Sequence, residues 1–369
     1  MLTQQAKVFP PDGIRKVTRS ADLPRNGWDA LAGPGDIFLT CRWLDVVEAT
    51  AGVPMTYLWR ERGGAPVAAL PTALATSDVP WALGRPDVVL RNSVAAGLPG
   101  AAEFLETLDG DPTQRLMPTL LAGGRHVGGT RALSSAAATA TDLEDLVDEA
   151  ETLARRSHAA TVCFLYLDAQ DQQLAQILHK RGYQNYVSGQ YSRLPVPADG
   201  YHGYLASLPS KRRISVAAER GKIQRAGVRV SFESLKATDL ARLAELESEL
   251  LAKYDIDLRP QQLLPILRQV RDCFGEEAFA VIARAEEDIR GFALILRHRD
   301  DWIARQTGYD YAYQRRTKTP LYFELLYYRL VEEASAAGVR TIHYGLGSTE
   351  TKLSRGCSAT SQRCWTLFL

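Results

Sequence analysis

The chain has 369 residues, 46% hydrophobic and 24% charged, with 44 Lys and Arg almost balanced by 43 Asp and Glu. These are the proportions of a globular protein that buries a core; they exclude disordered and fibrous classes, and no stretch approaches the ~18 apolar residues of a membrane span. A formal charge of +1 leaves any polyanion affinity to a local patch, and the length exceeds what one core usually fills, so two domains are expected.

The predicted elements, taken in order, form one α/β syntax written twice. MTYLWRERGGAPVAALPTALA reads as a hairpin joined at Gly63-Gly64. An additional insertion is expected around SDVPWALGRPDVVLRNSVAAGLPG, and MPTLLAGGRHVGGTRAL concentrates glycines around Arg125 and His126. DLEDLVDEAETLARRSHA then has Leu143, Leu146, Val147, Ala150 and Leu153 at helical spacing, with Thr141 or Asp142 as the expected N-cap. TVCFLYL, QDQQLAQILHKRG and YVSGQYSRLPV follow as strand, helix and strand.

The periodic pattern is interrupted at LPVPADG, which places a boundary between domains 1–197 and 198–369. Beyond it, SKRRISVAAERGKIQRAGVRV is a basic helix pattern with Glu219 its single acid, ended by Gly227. AFAVIARAEEDIRGFALILRH is a second hairpin. DWIARQTGYDYAY reads as a strand on which Tyr309, Tyr311 and Tyr313 alternate and so share a face. The helix TPLYFELLYYRLVEEASAAG has Thr319 as expected N-cap, Pro320 at its first position and Gly338 as terminator. TIHYGLG is a strand, STETKLSRG a short helix or turn, and QRCWTLFL the closing strand, expected to pack on the N-terminal domain.

The five cysteines are scattered, with no C-x-x-C pair and no Cys/His ligand spacing, which predicts reduced thiols and no metal. MLTQQAKVFPPDGIRKV lacks the apolar core of a signal peptide, so a cytoplasmic chain without a membrane span is expected. G-x-S-x-G is absent, and no Ser, His and acid form a nucleophilic motif.

The repeated unit of hairpin, strand, N-capped helix, strand, helix, strand resembles the acyltransferase fold of the GNAT superfamily. The fold class is therefore expected to be α/β (α+β), as two tandem GNAT-like domains, each a mixed sheet flanked by helices. Two copies, the basic helix between them, GDIFLTCRWLDVVEATAGVP near the start and PLYFELLYYRLVEEASAAGVRTIHYGLGSTETKLSRGC at the end resemble the narrower Fem-type, double-GNAT family. In that fold the loop before the central helix binds the pyrophosphate of an acyl carrier. The matching loop here is Gln314, Arg315, Arg316, Thr317, Lys318 and Thr319, with threonines in place of glycines and three cations able to bind phosphate through side chains.

The resemblance implies transfer of an acyl or aminoacyl group to an amine. Lys352 corresponds to a lysine near the acyl linkage and Glu350 to a group orienting or deprotonating the amine, while Tyr309 or Tyr311 would be the proton donor. Arg125, His126, Tyr344 and Arg212 are the candidate substrate contacts. The expected donor is a phosphopantetheine thioester on coenzyme A or an acyl-carrier protein, with no tightly bound cofactor and a small-molecule amine as acceptor. Two alternatives stay open: an aminoacyl-tRNA-dependent Fem-type transferase, for which the basic helix would contact tRNA phosphates, and a catalytically silent GNAT-like scaffold.

Overall fold

A computed structural model of the chain describes residues 12–80, 83–124 and 129–369. Its strands are β1 (Gly13–Val17), β2 (Met55–Arg62), β3 (Ala65–Ala75), β4 (Thr119–Ala122), β5 (Leu133–Ser134), β6 (Thr161–Asp168), β7 (Gln184–Pro195), β8 (Arg229–Ser234), β9 (Ala278–Ala285), β10 (Asp288–His298), β11 (Asp301–Tyr309), β12 (Thr341–Gly345) and β13 (Ser358–Phe368). The chain forms two compact units. One consists of the chain up to Leu44, Gly52–Ser188 and Gln362–Leu369; the other of Asp45–Ala51 and Gly189–Ser361.

In the first unit β1, β2, β3 and β4 pair antiparallel in that order, β4 pairs β6 in parallel, and the last residues of β13 pair antiparallel with β6. Gly63 and Gly64 join β2 to β3 at φ 58° and 79°. Two successive left-handed residues make the turn whose twist suits a two-residue hairpin, and glycine adopts them without steric cost. Parallel pairing of β4 and β6 demands a crossover, which the helix Ala140–Arg156 provides. Leu143, Leu146, Val147, Ala150 and Ala154 of that helix are buried against Leu58, Leu70, Val162 and Phe164. Its cap is Thr139, two residues before the expected position, because Thr139 and Asp142 cap each other's backbone N–H reciprocally.

The second unit repeats this order. β8, β9, β10 and β11 are antiparallel neighbours, β11 pairs β12 in parallel, and β12 pairs β7 antiparallel. Between β10 and β11 lies only the turn Arg299–Asp300, whereas three short helices, Pro86–Ala95, Ala101–Thr107 and Pro112–Leu116, intervene between β3 and β4. The expected insertion is therefore helical.

The crossover of the second unit runs from Leu321 to Ala336 and contains a π-helical stretch, Glu324–Tyr328, all five residues of which are buried. The wider turn brings Leu325, Leu326, Tyr327 and Tyr328 together onto a core with Trp302, Tyr309, Ile342 and Tyr344. Each large apolar side chain so buried contributes roughly 1.5–3 kcal/mol. Alternation along β11 turns Gln306 and Gly308 towards the helix Leu240–Ala252 instead. The crossover begins one residue later than expected: Pro320 is the capping residue and Leu321 the first helical one. The basic pattern after the boundary is the helix Ser210–Arg225, and Gly227 follows it at φ 64°.

Candidate active site in the C-terminal unit

β11 and β12 are paired only from Asp301–Ile303 to Thr341–His343, after which β11 continues to Tyr309 without β12. At the point of parting the register of β11 against β10 slips. Gln306 faces Leu294 while Ala304 faces Ile295, so Arg305 is an extra, bulged residue. A bulge re-aims side chains and ends pairing, and ligands of open α/β sheets collect beyond the carboxyl ends of parallel strands. The groups around this divergence are therefore the candidate site.

Tyr309 ends β11 with 2% exposure, and its hydroxyl has no hydrogen-bond partner. Burial holds its pKa well above the ordinary phenol value, so it stays a protonated donor. Tyr311 does not share a strand with it. Asp310 stops the strand by accepting the Tyr313 N–H at 2.7 Å and capping a helix, Tyr311–Thr317, with Arg290 3.0 Å from its carboxylate. Tyr311 is half-buried, 6.4 Å from Tyr309 ring to ring, with its hydroxyl pushed up to about 12 by burial. Tyr313 is buried and carries Arg290 and Arg316 over its ring at 5.1 and 5.6 Å.

The expected carrier loop is mostly the end of that helix. Gln314, Arg315, Arg316 and Thr317 are helical, and Lys318 terminates the helix in the left-handed region at φ 57°. Thr317 Oγ1 bonds the Tyr313 carbonyl at 2.8 Å and lies 2.8 Å from Thr319 Oγ1, and Thr319 is buried. The threonines brace the turn rather than opening a backbone cradle. Arg315, Arg316 and Lys318 are exposed, and none makes an ion pair among the described residues.

At the end of β12, Gly345, Gly347 and Ser348 have φ of 64°, 75° and 49°. The two glycines serve the turn itself, adopting the left-handed region without steric cost. Lys352 is 4% exposed, and its Nζ donates to the carbonyls of Tyr344, Gly345 and Leu346 at 2.8, 3.0 and 2.7 Å. Burial lowers its pKa to about 8, while three carbonyl acceptors favour the ammonium. All three of its donors are thus occupied, so it holds the strand end together rather than presenting a free charge. Glu350 is exposed in the same short helix, Thr349–Leu353. Two residues is about 200° around a helix, which sends the pair to different sides.

Tyr344 is a core residue: it stacks on Tyr327 at 4.8 Å and donates to the Leu326 carbonyl at 2.5 Å. It is not available as a substrate contact. Arg212 is half-exposed on the basic helix and makes no ion pair among the described residues. Arg125 and His126 lie outside the described residues. One charge of the basic helix is internal: Arg220 binds Glu332 at 2.6 Å and Glu324 at 3.4 Å.

Three groupings escape a reading of the sequence. Arg355, 1% exposed, binds Glu219 at 3.0 Å and the Tyr328 hydroxyl at 3.1 Å, with Phe323 3.8 Å beneath its guanidinium. His343 lies 3.0 Å from both the Tyr191 hydroxyl and the Asp301 carboxylate, fastening β7, β12 and β11 by side chains as well as by backbone. Glu247, on the helix Leu240–Ala252, receives the Gln306 amide at 2.7 and 2.9 Å next to the Arg305 bulge. Of these, only Glu247 carries a local signal, since it sits at helical spacing with Leu240, Leu243 and Ala244 on the apolar face.

The model of the FemAB-like family, described as peptidoglycan biosynthesis/recognition, matches residues 125–369. The chain belongs to the FemAB-like family. None of the curated proteins searched matches it. Among solved structures it is similar to FemX, with 10% identity, 96% of this chain and 97% of that one covered, and a TM-score of 0.61. It is also similar to a tandem GNAT protein from the clavulanic acid biosynthesis pathway (13% identity, 96% and 98% covered, TM-score 0.51). A conserved protein of unknown function from Bacteroides thetaiotaomicron is similar as well (9% identity, 94% and 98% covered, TM-score 0.53). At these identities the likeness shows the fold, a tandem GNAT arrangement, as the sequence led one to expect. Family and fold support a transferase. Among the described residues no helix is long and apolar enough to cross a membrane.

Proposed function

We propose that this FemAB-like protein transfers an acyl group to an amine at the divergence of β11 and β12. The amine nitrogen attacks the carbonyl carbon, a C–N bond forms, the bond to the donor's oxygen or sulfur breaks, and the leaving atom takes a proton. Tyr309 is the proposed proton donor, and the observation that carries the assignment is its buried hydroxyl without a partner at the end of β11, beyond the bulge. For the donor, an aminoacyl ester of tRNA is favoured. Arg315, Arg316 and Lys318 offer exposed cations without a glycine cradle, and Lys211, Arg212, Lys222 and Arg225 add further charges outside any ion pair among the described residues.

A thioester donor, acyl-CoA or a loaded acyl-carrier protein, is the second reading, favoured by the tandem GNAT neighbour. The test is transfer of a labelled acyl group from charged tRNA, acyl-CoA and acyl-carrier protein to a panel of amines. Tyr309→Phe is expected to lower kcat by about 10²-fold with little change in KM. Wild-type kcat in this variant would remove Tyr309 from the mechanism, and no transfer from any donor would favour a binding scaffold.

A further inference from the structure

The turn that ends the helix Leu240–Ala252 brings a cation onto two aromatic rings. Lys253 caps this helix, and its Nζ lies 5.8 Å from the centre of the Tyr254 ring and 5.4 Å from that of Tyr311. Both distances fall within the ~6 Å over which the negative face of a ring attracts a cation. Lys253 is exposed and makes no ion pair among the described residues, so the rings are what hold its ammonium. Tyr254 is 56% exposed, unlike every other aromatic side chain among the described residues. Solvent therefore reaches this pair of rings directly.

The rings stand beside the proposed proton donor. Tyr311 follows Tyr309 by two residues at 6.4 Å ring to ring, and the Tyr254 hydroxyl acts electrostatically on the hydroxyls of both. The charges nearby select the sign of an occupant. Glu249, whose carboxylate acts on the Tyr311 hydroxyl, and Asp255 and Asp257 of the following turn are all exposed. Three carboxylates repel a phosphate and attract an ammonium.

We propose that the Tyr254 and Tyr311 rings seat the ammonium group of the acceptor, and that Lys253 fills this seat while no acceptor is bound. The assignment of the occupant as acceptor rests on the transferase reading. The lysine head itself shows that an alkylammonium fits on the two rings. Because its stem is long and solvent-exposed, Lys253 leaves without disturbing the core, and acts as a built-in competitor for the seat. Ring faces attract positive charge without needing N–H donors, so a quaternary ammonium is expected to bind as well as a primary one.

The test uses the full-length protein and calorimetric titration with n-butylamine and n-butyltrimethylammonium, with n-butanol as the uncharged control. Lys253→Ala is expected to bind both cations about two- to fivefold more tightly than wild type, and Tyr254→Leu more weakly by a similar factor. Tyr254→Phe, which keeps the ring, is expected to bind as wild type does. The double variant Lys253→Ala/Tyr254→Leu should lose the gain. Unchanged or weaker binding in Lys253→Ala, a gain that persists in the double variant, binding of the alcohol equal to that of the amine, or no binding of either cation overturns the proposal. The transfer assay separates this from the broader reading. If the cations bind as expected but no donor supports transfer to any amine, the cation seat stands and the transferase reading falls. If transfer occurs but wild type, Lys253→Ala and Tyr254→Leu share one KM for the amine, the transferase stands and the seat falls.

Discussion

The two crossover helices begin at equivalent places in the strand order of their units, and their first turns are built in opposite ways. At Ala140 the unit provides its own anion. Asp142, 1% exposed, accepts the Thr139 N–H at 2.7 Å and takes Arg62 at 2.8 Å and Arg60 at 3.3 Å. Burial opposes its charge, but Thr139 and Arg62 together hold its carboxyl below the usual range. At Leu321 the capping residue is Pro320, with no side-chain cap, and the approach carries Arg315, Arg316 and Lys318 exposed. A helix start attracts an anion. The first unit answers that attraction with a capping carboxylate, whereas the second offers cations and no side-chain cap, the asymmetry that the proposed donor site uses.

The largest expected effect tests whether the second unit's strand end, unlike its helix start, is internally complete. Lys352→Met strands three carbonyls and is expected to lower the unfolding free energy by about 3–5 kcal/mol in urea titrations. A loss under about 1 kcal/mol would mean that the lysine is free for chemistry after all.

Next comes Glu247→Gln, which probes a buried charge in the same unit. The fold raises this carboxyl from its ordinary value of 4.5 to about 7, so the native state binds the proton more readily than the unfolded chain. The resulting destabilisation grows as pH rises through this window and is complete above it. The amide should therefore be up to about 3 kcal/mol more stable than wild type at pH 8 and nearly equal to it at pH 4.5, as read from unfolding midpoints at both pH values.

In the first unit, Asp142→Ala removes a cap and leaves Arg60 and Arg62 without their shared partner, for an expected loss of about 2 kcal/mol. Arg315→Ser, Arg316→Ser and Lys318→Ser together should change stability by less than about 0.5 kcal/mol. The same variant should flatten the dependence of log affinity for charged tRNA on log salt concentration by about 2. An unchanged slope would place the polyanion elsewhere.

Much of the architecture was legible because it follows from local rules. The Gly63-Gly64 hairpin, the amphipathic helix from 140, the basic helix ended by Gly227 and the repeated order of elements all show in residue spacing. Errors came where one side chain overruled a period. Asp310 turned an alternating tyrosine strand into a capped helix, and Thr139 captured the cap assigned to Thr141 or Asp142. Glu350 and Lys352 are assigned to one site by the family resemblance, but the short helix sends one to solvent and the other to the interior.

By itself, the sequence determined the order of strands and helices and their duplication, since periodicity, caps and turns act over a few residues; the family came from the resemblance its motifs carry. Only the tertiary structure decided which charges are inside and what they hold. Asp142 meets Arg62 across 80 residues of chain, Gln306 meets Glu247 across 59, and Arg355 meets Glu219 across 136. A buried charge is stabilised by whatever donors the fold brings to it, and separations of that length leave no periodic trace in a sequence.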